Sequence, residues 1–275
     1  MPKTLLPKDE TIAALLEELA AIDGLLAELT DEEWRTPTAL PGWDVQANVA
    51  HIIGTESILA GVPMPPTDVD VAGLPHVRND IGGVNEPWVL ALAPLAPAEV
   101  REQLRAIVEQ RTAALLAMTQ EEWDAESFTP AGMDSYGRFM RIRVFDCWMH
   151  EQDIRDAVGR PGHLDGPAVE LALDEMVTAM GFVVGKRAGA PDGARVTLAL
   201  TGEAARDVHV AVDGRAAVVD ALDAPASVVI TTDVHTFTRL AGGRTRWETI
   251  DQDLVTIEGD PALAHQILTN LAYTI

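Results

Sequence analysis

Three side chains carry the chemistry this sequence suggests first: His51, Asp146 and His150. The stretch FDCWMHEQDIRD, residues 145–156, places a carboxylate and an imidazole four residues apart among large apolar neighbours. On a helix, Asp146 and His150 then lie one above the other, and such a pair converges naturally on one metal ion. A pair alone is a common helical spacing, so a third ligand must come from another helix. His51 is the best candidate. It sits in VQANVAHIIGTESILA, in line with Asn48 and Thr55 and beside the apolar Val49, Ile52 and Leu59. Taken on spacing alone, a hydrogen-bonded core or boundary histidine is the favoured reading.

Other residues invite a role. Glu56 lies on the apolar side of the His51 helix, where it can orient a ligand histidine, carry a proton, or remain a partly wet carboxylate. Asp153, one turn past His150, can support that histidine or pair with Arg143. Arg78 and Asn79 fall in a polar loop and are candidates for a pocket mouth. Cys147 is read as a small buried hydrophobe in preference to a nucleophile. Phosphate-binding glycine loops, a dinucleotide fingerprint and CxxC pairs are all missing from the sequence.

The elements that must position these residues follow from periodicity. Residues 10–29, 45–60, 97–118 and roughly 137–158 have the apolar spacing of helices. Asp44 is placed to cap the second, and GRPG ends the fourth. Residues 62–86, rich in Pro, Gly and Asp, read as a long loop. Four such helices suggest a bundle over 1–160. A further helix over 166–184 lies within a connecting segment, 161–189. From 190 to 275 the texture changes to short β-branched runs separated by Gly, Asp and Pro, read as an antiparallel sheet with helices at DVHTFTRLAGG and DPALAHQILTNLAY. LTDEEWRTPT and MTQEEWDAES share Thr-x-Glu-Glu-Trp after a helix end, through common capping chemistry or an old pairing of helical hairpins.

Composition narrows the function classes. The 275 residues are 47% hydrophobic, enough for a sizeable core, and carry 43 acids against 20 bases, a formal net charge of −23. That charge opposes binding to nucleic acid or an anionic membrane. A single cysteine allows no intrachain disulfide and points to a reducing compartment. With no secretion signal and no membrane span in the sequence, a cytoplasmic protein is expected, as monomer or homodimer.

LPGWDVQANVAHIIGTE and VFDCWMHEQDIRDAVGRPG together resemble segments of the mycothiol-dependent maleylpyruvate isomerase-like proteins of actinobacteria. GARVTLALTGEAARDVHVAVDG, TFTRLAGGR and VTIEGDPALAHQILTNL resemble that family's C-terminal part, so the likeness covers nearly the whole chain. It implies a DinB-like four-helix bundle with a metal site, followed by a small α+β domain of the sterol-carrier kind. It also implies that His51, Asp146 and His150 are the ligands; the characterised isomerase has Glu where this chain has Asp146. Two imidazoles and one carboxylate suit Zn²⁺ first, with Ni²⁺, Fe²⁺ and Co²⁺ as alternatives, and leave a coordination position open. The expected enzyme is a metal-dependent isomerase or thiol transferase, with mycothiol or another low-molecular-weight thiol as co-substrate and a small electrophile as substrate. The family's catalytic arginine falls within the cluster Arg239, Arg244 and Arg246, and Arg239 and Arg244 are the two assigned to catalysis beside Glu56. The competing expectations are a binding module for a small apolar ligand and a metal hydrolase that needs no thiol.

Overall fold

The computed structural model describes residues 3–274. The chain folds into two compact units, the first ending at Gly162 and the second starting at His163.

The first unit is helical. Helix α1, Lys8–Ala27, buries Ile12, Leu15, Leu19, Ile22 and Leu26, the face its spacing predicts. A 3₁₀ turn, Glu33–Arg35, precedes α2, Val45–Leu59. Helix α3, Asp80–Leu92, leads to α4, Pro97–Ala117, and the single turn α5, Gln120–Trp123. A hairpin of β1, Glu126–Thr129, and β2, Gly132–Ser135, then runs into α6, Tyr136–Val158. Helix α1 packs on α6 and α4, while α2 packs on α3, α4 and α6. Helix α2 is therefore the central one and is buried on almost every side. Close approach of α3 depends on Gly54, where a Cβ would lie 2.5 Å from Trp88 Cγ.

The helix boundaries follow their caps. Asp44 accepts from Ala47 N at 2.8 Å at the start of α2, and Gly159, at φ 66°, ends α6 in the left-handed region. The Thr-x-Glu-Glu-Trp echo resolves into shared capping chemistry. Glu33 Oε2 accepts from Thr30 N at 2.7 Å and Glu122 Oε2 from Thr119 N at 2.8 Å; both tryptophans that follow, Trp34 and Trp123, are buried. Helix α3 and a hairpin are among the elements that escape the sequence reading. Residues 80–86 belong to α3, not to a loop; Gly82, Gly83 and an internal Pro87 hid its period, and Asn79 turns out to be its cap, accepting from Gly82 N at 2.8 Å. The β1–β2 hairpin was also missed.

The second unit begins with α7, Pro167–Thr178, a short turn α8, Met180–Phe182, and a π-type turn, Val183–Arg187. It continues through β3 (Arg195–Thr201), β4 (Arg206–Asp213), β5 (Arg215–Val219) and β6 (Val228–Asp233). Helix α9 (Val234–Ala241), β7 (Val255–Gly259) and α10 (Pro261–Thr269) complete it. The five strands lie in the order β5-β4-β3-β6-β7. The sheet is mixed, which corrects the antiparallel expectation: β6 runs parallel to β3, with Val196 opposite Val228. The 220–227 connection carries the chain back across the sheet, and Arg195 holds it through Asp223 Oδ1 at 2.6 Å while also reaching Asp213 Oδ1 at 2.9 Å. No helix among the described residues is long and apolar enough to cross a membrane.

The start of α6 is pinned by Asp134. Its carboxylate accepts from Thr4 N at 2.6 Å, Thr4 Oγ1 at 2.9 Å, Ser135 N at 2.8 Å and Arg138 Nη1 at 2.9 Å. Burial works to raise its pKa, but Arg138 and these donors outweigh it and lower the group from 3.8 to about 2. The folded state binds this proton less tightly than the unfolded chain. Its stabilisation is therefore complete above pH 3.8 and is lost as pH falls through about 2. Urea unfolding between pH 6 and pH 2.5 is expected to show a loss of about 1–2 kcal/mol that is missing in Asp134→Asn, the variant being less stable by that amount at neutral pH. Parallel curves for the two proteins would contradict this.

Candidate metal centre

Among the buried polar side chains of helix α2 are Gln46, Asn48, His51 and Glu56, and a buried polar group must find a partner. Gln46 Nε2 donates to Leu92 O at 2.7 Å. The other three lead to α6.

His51 Nε2 lies 3.0 Å from Asp146 Oδ2, and His150 Nε2 lies 3.6 Å from Asp146 Oδ1. One ligand atom from each residue fits within 4.8 Å of the others, so α2 and α6 bring all three expected ligands together. The imidazoles meet edge to face with centroids 4.7 Å apart, and each is only 6% exposed.

Each ligand is held from behind. His150 Nδ1 lies 2.8 Å from Asn48 Oδ1 and 3.2 Å from Asp153 Oδ2. The Asn48 amide cannot flip without loss, because its Nδ2 donates to Asp44 O at 2.9 Å and Thr38 Oγ1 at 3.3 Å. Its oxygen therefore faces His150, the proton belongs on Nδ1, and the Nε2 lone pair is left for a cation. Of the two readings of Asp153, support of His150 is the one the geometry favours. His51 is held differently: its buried Nδ1 has no hydrogen-bond partner among the described residues, and the Trp43 ring packs 5.4 Å away.

Trp43 is delivered by its local sequence. Pro41 and Gly42 occupy the middle of a tight turn closed by Trp43 N donating to Leu40 O at 3.1 Å, with Gly42 at φ 83°. Proline first and a positive-φ glycine second is the type II arrangement. The turn places Trp43 against both histidines, 5.9 Å from the His150 ring, and Asp44 then starts α2. Trp43 Nε1 donates to Glu86 Oε1 at 2.8 Å, which His76 Nε2 also approaches at 2.8 Å. These three residues line a cavity of about 610 Å³ with Leu40, Pro41 and Val89.

Charges behind the ligands complete the centre. Arg143 Nη1 pairs with Asp146 Oδ2 and Arg143 Nε with Glu56 Oε1 at 2.9 Å. Arg111 Nε takes the other Glu56 oxygen, also at 2.9 Å. Glu56 is thus engaged by two arginines and lies away from the histidine-facing role expected of it, although it sits in the same buried network. Burial, the largest influence on Asp146, would raise its pKa; His51, Arg143 and His150 outweigh it and hold the group well below the usual carboxylate range. Burial lowers His51, and Asp146 offsets this only in part. At His150 burial works the same way, but Asp146 and Asp153 prevail and raise it. Cys147 is fully buried; burial pushes its thiol well up despite Arg143, which fits a core residue and not a nucleophile.

A centre of two imidazoles and one ionised carboxylate, preformed and backed by hydrogen bonds, offers the donor chemistry of a divalent transition-metal site. The comparisons with known proteins decide the family. Residues 15–155 match the mycothiol maleylpyruvate isomerase N-terminal domain, and residues 170–266 match the MDMPI C-terminal domain. The chain belongs to the mycothiol maleylpyruvate isomerase family. Two relatives from Mycobacterium tuberculosis, uncharacterized protein MT0041 of strain CDC 1551 / Oshkosh and uncharacterized protein Rv0036c of strain ATCC 25618 / H37Rv, are each 27% identical over 157 residues. The matched stretch covers 54% of this chain and 56% of each relative, so the chain spans about half the length of these relatives. Among solved structures, a histidine-to-alanine variant of mycothiol-dependent maleylpyruvate isomerase has a TM-score of 0.58, and a second crystal structure of mycothiol-dependent maleylpyruvate isomerase one of 0.56. Each is 18% identical, with 92% of this chain and 93% of the other covered, which speaks to the fold.

The second unit separates the two catalytic arginines named from the sequence. Arg239 lines a cavity of about 290 Å³ with His235, Thr236, Thr245 and Thr249. Arg244 donates from Nη1 to Gly242 O at 2.7 Å, and Arg246 is exposed. Sequence reasoning also missed Arg111 and the role of Trp43. Arg111 had a signal: it occupies an apolar-face position of α4, between Leu104, Ile107 and Leu115, all buried.

If Asn48 fixes the His150 tautomer, Asn48→Leu is expected to weaken cobalt or zinc binding about 10- to 100-fold, with Asn48→Asp, which keeps the acceptor but loses the donor to Asp44 O, falling between it and the parent. Competition with a chromophoric chelator measures this, and circular dichroism checks that both variants fold. Equal affinity in Asn48→Leu would remove Asn48 from the site.

Proposed function

We propose that the chain is a divalent-metal-dependent enzyme that uses a low-molecular-weight thiol, mycothiol first among them, to isomerise or transfer to a small electrophile. The convergence of His51, Asp146 and His150 within 4.8 Å, in a chain matched to this family in both halves, carries the reading. A bound divalent ion would lower the pKa of a thiol co-substrate and so supply a thiolate at neutral pH, which water alone would leave largely protonated.

The chain's own residues do the rest. His51, Asp146 and His150 would hold the ion. Asn48 and Asp153 keep His150 in the tautomer that can bind. The Trp43 ring covers both imidazoles and limits water around them, which strengthens every electrostatic interaction there. The thiolate sulfur forms a bond to an electrophilic carbon of the substrate, and the electron pair displaced moves onto the conjugated carbonyl or carboxylate oxygen. Rotation and reversal of that addition give an isomer and return the thiol; loss of a leaving group gives transfer. By resemblance to the family, Arg239 is the arginine we assign to catalysis; within the second unit it lines a cavity with His235, three threonines and Asp251. Glu56, buried between two arginines, is assigned a supporting role in place of proton transfer. Zn²⁺ is the preferred ion on its ligand set, and the single buried cysteine fits a reducing, cytoplasmic setting.

Asp146 is one methylene shorter than the glutamate expected at that position, which argues that the substrate differs from maleylpyruvate. Titration of the cobalt-substituted protein with mycothiol is expected to produce a sulfur-to-metal charge-transfer band that is lost in His150→Ala. His51→Ala is expected to lose most bound metal with little loss of fold, since the bundle is held by its apolar faces. If no thiol perturbs the cobalt spectrum and esters or amides are cleaved without thiol, a metal hydrolase replaces this reading.

A further inference from the structure

We propose that Arg143 is a positioning residue that compensates the charge of Asp146 from within the protein, so that an ion held by His51, Asp146 and His150 keeps more positive charge for an incoming anion. The inference rests on the metal reading above and adds a determinant of reactivity to it.

Arg143 is 2% exposed and uses all three guanidinium nitrogens. Nε donates to Glu56 Oε1 at 2.9 Å, Nη1 to Asp146 Oδ2, and Nη2 to Cys147 Sγ at 3.3 Å. Glu56 is itself fully buried, and Arg111 occupies its second oxygen. Arg111 in turn reaches Tyr136 Oη at 2.9 Å, which closes the chain at the start of α6. Two buried guanidinium groups therefore face one fully buried carboxylate, Glu56, and one partly exposed carboxylate, Asp146. Glu56 can balance only one of them. The excess positive charge falls on Asp146, three residues from Arg143 on the same face of α6.

A carboxylate already bonded to a guanidinium gives less charge to a cation than a free one. Arg143 also claims Oδ2, the oxygen that His51 Nε2 approaches at 3.0 Å, while Oδ1 faces His150 Nε2 at 3.6 Å. The arrangement fixes the carboxylate while restraining it as a donor. Because Glu56 and Arg111 already form a balanced pair, Asp146 is the counter-charge of Arg143, and an ion bound there must share that carboxylate with the guanidinium.

The test uses the full chain loaded with cobalt and azide as the anion probe, so it does not depend on which thiol or substrate is correct. Arg143→Met leaves Glu56 paired with Arg111. It is expected to bind cobalt at least as tightly as the parent but to need about tenfold more azide for half-saturation of the visible spectral change. Arg143→Lys, which keeps the charge, is expected to restore most of the azide affinity. Glu56→Gln leaves the guanidinium uncompensated and is expected to act in the opposite sense, tightening azide and weakening cobalt. Unchanged azide affinity in both Arg143→Met and Glu56→Gln with cobalt bound would overturn the proposal. So would a cobalt loss in Arg143→Met that lysine does not rescue, which would mark a role in folding alone. A parent protein that takes up no cobalt would defeat the metal reading, and this inference with it.

Discussion

A carboxylate facing two imidazoles inside a helical bundle is stable only if cationic and hydrogen-bonding partners are already in place, and Asp146 imposes that condition on the whole first unit. Its partners come from α2 and from its own helix, so α2 must run through the middle of the bundle and α6 must pack along it. Burying α2 on nearly every side then obliges its other polar residues to find partners as well. Asn48 finds His150, Glu56 finds two arginines, and Gln46 finds the carbonyls at the end of α3. Asn48, His51 and Glu56 thus join one network through His150, Asp146 and Arg143, while Gln46 makes a separate contact at the end of α3.

The network also explains how rigidity is distributed. His150 is fixed by two hydrogen-bond acceptors, whereas His51 is fixed by shape, through the Trp43 ring and the walls of the bundle. The turn at Leu40–Trp43 matters for this reason: its proline and positive-φ glycine set the direction from which the indole arrives. Glu86 on α3 then locks the indole nitrogen. A helix that sequence reading took partly for loop therefore holds one wall of the site.

The long helices and the ligand trio were legible because they rest on local signals. Apolar spacing every three or four residues specified α1, α4 and α6. An i, i+4 Asp–His pair is visible in any helical register, and the motif around His51 supplied the third ligand through resemblance. What could not be read depended on distant partners. Glu56 looked available because nothing local shows that Arg111, 55 residues away, takes one of its oxygens. Asn48 looked like one more polar residue on a flank until His150, 102 residues on, was placed against it. The parallel pairing of β6 with β3 was hidden for the same reason: alternation marks a strand but does not say which neighbour it joins, or in what direction.

The packing of α1 against α6 has a consequence for how the chain comes into being. Helix α1 is synthesised ahead of the other helices of its unit, and its principal partner, α6, is among the last parts of that unit to be made. Until then the apolar face of α1 has only α4 to cover it, and α2 carries Asn48, His51 and Glu56 without the α6 groups that satisfy them. The bundle cannot close around its polar centre early and in the wrong register, because half of the compensating charge has yet to be synthesised. Completion of α6 delivers Arg143, Asp146 and His150 together, so closure of the bundle and assembly of the centre become one event in nascent-chain folding.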